Sequence, residues 1–498
     1  MYISKYISNK TRNHNYSRTS DIHLTTNNSE MKDLVEIIFD KYFNTGKKEI
    51  TKKHLEVLLL DLYIAWKTDP MLEIGIHIAP DFYTKVKRYN NQHITRTMID
   101  VVTTLKNHNL INFHKGLEAK HKVSHICAAP TLENYFKDIR VSVFDINQSQ
   151  EFLVLRDNDK KYIDYKDNTK TKDLRKVLEK YNEIIRQTFI DIPFLEKTYL
   201  EYKGKKHNIN HHSKLVKRLF KRGSFDQGGR FFGGWWQYVS EKQRENILID
   251  DRETIEIDYK SLHPVLAYAK KGIDFWKGVN VTKYSYFNDA YDVPTTGLKD
   301  KEDSRAVVKL LFLTALNAKN EKECFESFRD EWDYENHPYT GLFSDTFLKE
   351  LLDSIRDRHY QIDEMFCSGI GLNLKKWDSD IVEYIVSDFT ERNIPILCIH
   401  DSFVIWKEQL DLLVNNMNTA IKWVTGIVDN PSLKYDQFTT LAWKENVLSY
   451  AGKKGLDRGY QLDSLPNKPA SPDRCKGYIE RWTEHKSYFY EKYNYPKE

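Results

Sequence analysis

Two aspartates stand where apolar runs stop. In IEIDYKSLHPVLAY (255–268), the first residues alternate apolar and polar like a strand, and Asp258 sits where the alternation ends. Ser261 and Pro264 follow, where a helix can begin. A carboxylate at the end of a buried strand is costly unless something positive, such as a metal ion, meets it. In IPILCIHDSFVIW (394–406), two apolar runs flank His400, Asp401 and Ser402, so a strand–turn–strand hairpin would present Asp401 at its tip. Meeting across adjacent strands, Asp258 and Asp401 could hold two Mg2+ ions, with Mn2+ as a substitute. Such a pair, ~3.5–4 Å apart, activates an attacking hydroxyl and stabilises a leaving phosphate oxygen. The bland reading of HDS alone is a turn with a capping aspartate.

Between the two acids lies SRAVVKLLFLTALNA (304–318), where Arg305, Lys309, Leu313 and Asn317 recur every four residues and share one helix face. The helix is otherwise almost wholly apolar, so its two cations need a reason. A triphosphate supplies one: Arg305 and Lys309 neutralise phosphates, and Lys309 can protonate departing pyrophosphate. Upstream, GGRFFGGWWQ (228–237) joins four glycines and four aromatics to Arg230. Glycine admits close backbone approach, while the rings can stack on bases or simply pack.

The order of these pieces resembles the A-family polymerases, which include repair-type DNA polymerases and phage-type single-subunit RNA polymerases. The matching residues are Gly229-Arg230, Gln237, Arg244, Asp258, Arg305/Lys309 and His400-Asp401, over roughly residues 226–410. RAVVKLLFLTALNA and HDSF are similar to the RNA polymerase branch, whereas DYKSLHP is closer to a DNA polymerase motif. The resemblance implies that Asp258 and Asp401 bind the two metals and that Arg305 and Lys309 bind the triphosphate. His400 would support the primer end, and Arg230, Gln237 and Arg244 would touch the template–primer duplex. The KKWDSDIVEYIVSDF helix (375–389) would follow the template strand. Three positions depart from the family: His263 stands where it has Glu or a small residue, Leu313 where DNA polymerases have a ring, and Asn317 where a Tyr is usual. These positions govern sugar choice and stacking on the incoming base. No carboxylate cluster in the first 225 residues reads as a proofreading exonuclease.

The elements around this site set an α+β expectation: a right-hand palm and fingers of the A family behind an N-terminal, winged-helix-like domain. With 498 residues the chain is long enough for several domains. Residues 1–30, polar and poor in apolar side chains, suggest a disordered tail. In 31–135, KKHLEVLLLDLYIAW (52–66) and ITRTMIDVVTTLKNHN predict two helices, followed by a short strand and a second apolar stretch, VSHICAA. Helix, helix, hairpin is the order of a winged helix, with Thr95, Arg96 and Lys106 near the helix that could enter a groove. Residues 136–225 suggest a basic helical connector. It ends in a 201–225 stretch with eight cations against Glu201, enough asymmetry to draw a phosphate backbone. The 226–450 segment holds the palm and fingers, and 451–498 reads as a polar tail.

Net charge is only +4, so bulk charge does not decide the question of nucleic acid. The five cysteines are scattered without CxxC spacing, which points to reduced thiols and a cytoplasmic setting. His207, His211 and His212 lack a nearby cysteine or carboxylate to complete a zinc set. No apolar run approaches the roughly 18 residues of a membrane span.

The leading expectation is a template-directed nucleotidyltransferase, a DNA polymerase or primase. A palm of this kind joined to a winged-helix-like domain is similar to the primase-polymerases of bacterial mobile elements. Its partners would be a DNA template, single-stranded or primed, dNTP or NTP, and a small protein or a replicative helicase. The alternatives are a catalytically inactive, DNA-binding replication-initiation protein and a single-subunit RNA polymerase. The retention of four charged groups argues against the inactive form.

Overall fold

The computed structural model describes residues 16–83, 88–116, 123–202, 205–259, 261–275, 290–293, 301–332, 343–426 and 473–493. They form a mixed α+β protein with two large hydrophobic cores. Among the described residues, no helix is long and apolar enough to cross a membrane.

The first core runs from Tyr16 to Ile146. Its centre is the Lys48–Thr68 helix, in which every residue from Val57 to Ala65 is buried. The uninterrupted apolar run leaves that helix no solvent face there. Asp61 falls inside the run, and Arg18 meets its carboxylate at 2.5 Å, because a buried charge needs a partner. Four strands lie beside the helix in the order Ser17–Thr19, Glu73–Ile76, Ser124–Ala128, Ile111–His114. The first pairing is parallel and the other two are antiparallel. The Thr97–Asn107 helix leads directly into the Ile111–His114 strand, so the expected helix, helix, hairpin order is present.

Residues 16–30 depart from the expected disordered tail. They carry the Ser17–Thr19 and Leu24–Thr26 strands and the start of the Ser29–Tyr42 helix. Tyr16 and Leu24 are isolated apolar residues that show no period in sequence, yet both are buried. Residues 1–15 lie outside the described residues.

The second core extends from Leu153 to Ile421. The expected amphipathic helix is there, as Thr169–Gln187, with an Asn168 cap. Apart from the end of the Pro130–Asp138 helix and a 3-10 turn at Val143–Asp145, the described remainder of the supposed helical connector is strand and loop. The basic 201–225 stretch contains parts of two hairpins, Tyr199–Tyr202 with Lys205–Asn208 and Val216–Lys221 with Ser224–Gly233. Counting charges concealed a period of two, in which Val216, Arg218 and Phe220 all point inward. Arg218 is fully buried and ion-paired with Glu383, and Lys214 is buried as well, so these two cations are not surface charges.

An antiparallel sheet of five strands includes the two strands that end near the candidate aspartates; its order is Leu397–Ile399, Ser402–Trp406, Arg252–Asp258, Leu248–Ile249, Ile190–Asp191. The Gly371–Glu391 helix packs against the Ser224–Gly233 strand, where the Ser379 hydroxyl donates to the Gly228 carbonyl at 2.8 Å. The C-terminal segment is also more than a tail. Lys476–Tyr493 is a helix anchored by Arg481 to Asp191 at 2.8 Å and by the Tyr478 hydroxyl to Asp251 at 2.8 Å. The preceding residues, 451–472, lie outside the described residues.

Candidate active site

The ladder between Arg252–Asp258 and Ser402–Trp406 ends with Asp258 opposite Ser402. Directly opposed residues lie about 4.5–5.5 Å apart at Cα. Asp401 is the chain neighbour of Ser402, so both aspartates come to the same end of two adjacent strands. As the sequence suggested, Asp401 sits in a turn: Ile399 pairs with Ser402, and His400 and Asp401 are the two residues between them. His400 takes a φ of +56°, uncommon for a residue with a side chain. Ser261 does begin the Leu262–Ala269 helix, but with a φ of 56° and no capping bond from its hydroxyl.

The Arg252–Asp258 strand buries Ile255 and Ile257, which leaves Glu256 and Asp258 on its other face. Glu256 ties the sheet together below the aspartates. Arg244 grips it through Nε at 2.9 Å and Nη2 at 2.8 Å, and the Ser402 hydroxyl donates to it at 2.7 Å. Gln237 donates to the Cys398 carbonyl at 2.8 Å and accepts from the Gly233 amide at 3.1 Å. Arg244 and Gln237, expected at the template–primer duplex, thus brace the hairpin that carries Asp401.

Arg230 is held by an acid that the sequence reading did not single out. Its Nε and Nη2 both donate to Oδ2 of Asp378, at 2.9 and 2.5 Å, while Oδ1 of Asp378 is buried without a hydrogen-bond partner. Asp378 is on the Gly371–Glu391 helix, at one helical spacing with Leu374, Ile381, Val382 and Ile385, all buried. An acid on that apolar stripe was the available signal.

The electrostatics draw the same residues together. Burial pushes the Asp401 carboxyl above its ordinary range; the charge of Asp378 adds to this, while His263 and Arg230 oppose it. Burial pushes the His263 imidazole down to about 4, with Arg230 adding to the effect and Asp401 opposing it. Lys375 and Lys309 also act on His263. His400 is lowered by burial and then by Arg230, and its Nδ1 is buried without a hydrogen-bond partner. Lys375, also missed in the sequence, is pushed down to about 8 by burial and by the charges of Arg230 and Lys221.

The Lys301–Asn317 helix presents its expected face. Arg305, Lys309 and Asn317 are exposed and Leu313 is half-buried, while Val308, Leu311, Phe312 and Ala315 are buried. The Arg305 guanidinium lies over the Tyr291 ring at 5.4 Å. Asn317 donates to the Leu313 carbonyl at 2.6 Å and accepts from Lys375 at 2.8 Å. The aromatics of the glycine-rich stretch mostly pack, with Phe231, Trp235 and Trp236 buried.

The carboxylates fit a hard divalent cation. All are oxygen donors, Asp401 carries the burden of burial beside a second acid, and Asp378 keeps an unpaired buried oxygen. Among the described residues, no three His, Cys, Asp or Glu side chains form a cage for an ion. No protein-family model matches the chain, and comparison with curated proteins gives no match.

Proposed function

We propose that the chain is a template-directed nucleotidyltransferase of the DNA polymerase or primase-polymerase kind, with an A-family-like palm and fingers. The observation that carries this reading is the pairing of Asp258 with Ser402, which sets Asp258 and Asp401 at one sheet end. Bound there, divalent cations would activate the attacking hydroxyl and stabilise the leaving phosphate oxygen. Asp258 and Asp401 would hold them, and the free oxygen of Asp378 lies beside Asp401. Arg305 and Lys309 would orient the triphosphate, and Lys309 would give a proton to pyrophosphate. Arg230 is held by Asp378 beside Asp401, and His400 would support the growing end of the primer.

The N-terminal topology supports a winged-helix-like domain, since the Glu73–Ile76 strand lies next to a hairpin that follows the Thr97–Asn107 helix. Its role would be to bring nucleic acid to the palm, in a setting such as the replication of a mobile element, plasmid or phage.

The test is incorporation on a single-stranded template with Mg2+, with and without primer, using either dNTPs or NTPs. Primer-dependent incorporation of dNTPs identifies an extending polymerase, and primer-independent synthesis a primase. Incorporation in none of the four conditions contradicts the reading.

A further inference from the structure

A seam between the two cores leads away from the catalytic turn. The Phe232 ring meets the His400 ring edge-on, with centroids 5.8 Å apart. Beyond Phe232 opens a cavity of about 420 Å³, walled on one side by His23 and Tyr89 of the first core region and on the other by Lys217 and Tyr238. The size suits a single nucleotide unit rather than a base pair, being near the lower end of the ~300–1,000 Å³ typical of ligand sites.

Its lining includes the rings of Tyr89, Tyr162, Phe232 and Tyr238 and the cations Arg156 and Lys217. Tyr238 is 72% exposed, the highest value among the large hydrophobic side chains exposed in the described residues. Arg156 stacks on Tyr162 at 4.7 Å, and its buried Nε has no hydrogen-bond partner. Lys217, half-buried, lies in the same wall, and burial lowers its pKa. The acid of the cavity is already neutralised: Glu151 is paired with Arg88 at 2.9 Å and Arg175 at 3.1 Å. An entering phosphate therefore meets cations without a bare carboxylate from Glu151.

A second cavity of about 520 Å³ shares Gln150 and Glu151 with the first and continues the seam. There Arg88, already paired with Glu151 and with Asp167 at 3.3 Å, stacks on Tyr165 at 4.1 Å, and Asp164 also lines the wall, so this second cavity offers a ring rather than a further free cation. Rings that accept bases, set among cations that accept phosphates, are the means by which proteins hold unpaired strands.

We propose that this seam seats a single-stranded polynucleotide, with a base stacked on Tyr238 and its phosphates met by Lys217 and Arg156. Its direction, towards Asp401, rests on the nucleotidyl-transfer reading and makes the bound strand the template. Tyr238 and Arg156 lie outside the motifs from which that reading was drawn, and Lys217 belongs to the basic 201–225 stretch rather than to those motifs.

The test uses the full chain carrying Asp401→Asn, so that binding is read without turnover. Fluorescence anisotropy compares labelled single-stranded DNA, single-stranded RNA and duplex DNA of one length at one salt concentration. Either single strand, or both, should bind better than the duplex, and the two single-strand arms show which sugar is preferred. Tyr238→Ala should weaken single-strand binding about tenfold, within the range for loss of one stacking contact. Lys217→Gln should weaken it too and flatten its salt dependence. Circular dichroism checks that each variant is folded, and Tyr162→Leu, at a half-exposed ring, replaces any that is not. Unchanged affinity in the folded variants, or equal affinity for the duplex, overturns the proposal. If the variants lose binding while the wild-type chain incorporates no nucleotide, the seam stands and the catalytic reading falls. If the wild type incorporates nucleotide but the variants bind normally, the reverse holds.

Discussion

Arg230 and Asp378, 148 positions apart in the chain, meet as an ion pair beside Asp401, with both guanidinium contacts on one carboxylate oxygen. The pair joins the glycine-rich strand to the helix behind the sheet, so it both positions the arginine and holds the fold. Asp378 is almost fully buried. Arg230→Ala would strand that charge, and loss of one partner from a buried pair costs about 3 kcal/mol. Urea unfolding should show a loss of that order, and a midpoint equal to that of the wild type would contradict this role.

Gly229 precedes Arg230 with a φ of +86°, and a Cβ there would meet the Phe220 ring at 2.7 Å and the Ser379 hydroxyl at 2.9 Å. Gly229→Ala should therefore destabilise the fold by about 1–3 kcal/mol through strain and overpacking. A thermal melt checks it. An unchanged Tm would show that the strand and helix can part at no cost.

Lys309 is exposed on the outer face of its helix, within electrostatic reach of His263. Lys309→Ala should raise the apparent nucleotide KM, slow the chemical step, or both, by about tenfold or more. Steady-state kinetics on saturating template measures this. If neither constant moved, the helix would not be the triphosphate site.

His359, whose ring packs edge-on against Phe312 of the Lys301–Asn317 helix, supplies a pH dependence of stability. Its Nε2 lies 2.8 Å from the Ala290 carbonyl and its Nδ1 3.1 Å from the Tyr268 hydroxyl, which a neutral ring protonated on Nε2 satisfies. Burial holds its pKa down to about 4, against an ordinary value of 6.5. Because the folded value is the lower one, the unfolded chain binds the proton first. The group's contribution is present above pH 6.5 and is lost as pH falls towards 4, by up to about 3 kcal/mol. Unfolding midpoints across this range should fall less steeply for His359→Gln than for the wild type. Equal slopes would contradict the assignment.

The strands and helix of the candidate site were legible because each signal was local. Alternation in IEID, two apolar runs around HDS and the four-residue spacing from Arg305 to Asn317 each became the element expected. What escaped was non-local. Asp378 looked like one charge among several until the fold brought it to Arg230, and Gln237 and Arg244 gained their bracing role only through bonds to Cys398 and Glu256. The basic hairpins were misread as helix because their charges drew more notice than their alternation. The C-terminal helix was missed because its anchors, Asp191 and Asp251, are more than 200 residues away in sequence.

The central claim is that Asp258 and Asp401 together serve one phosphoryl transfer. Its most direct test is Mg2+-dependent incorporation by purified wild type, Asp258→Asn and Asp401→Asn, with circular dichroism to verify folding. The expected result is activity in the wild type and none above background in either folded variant. Undiminished incorporation by either variant would show that its aspartate is not part of the reacting centre.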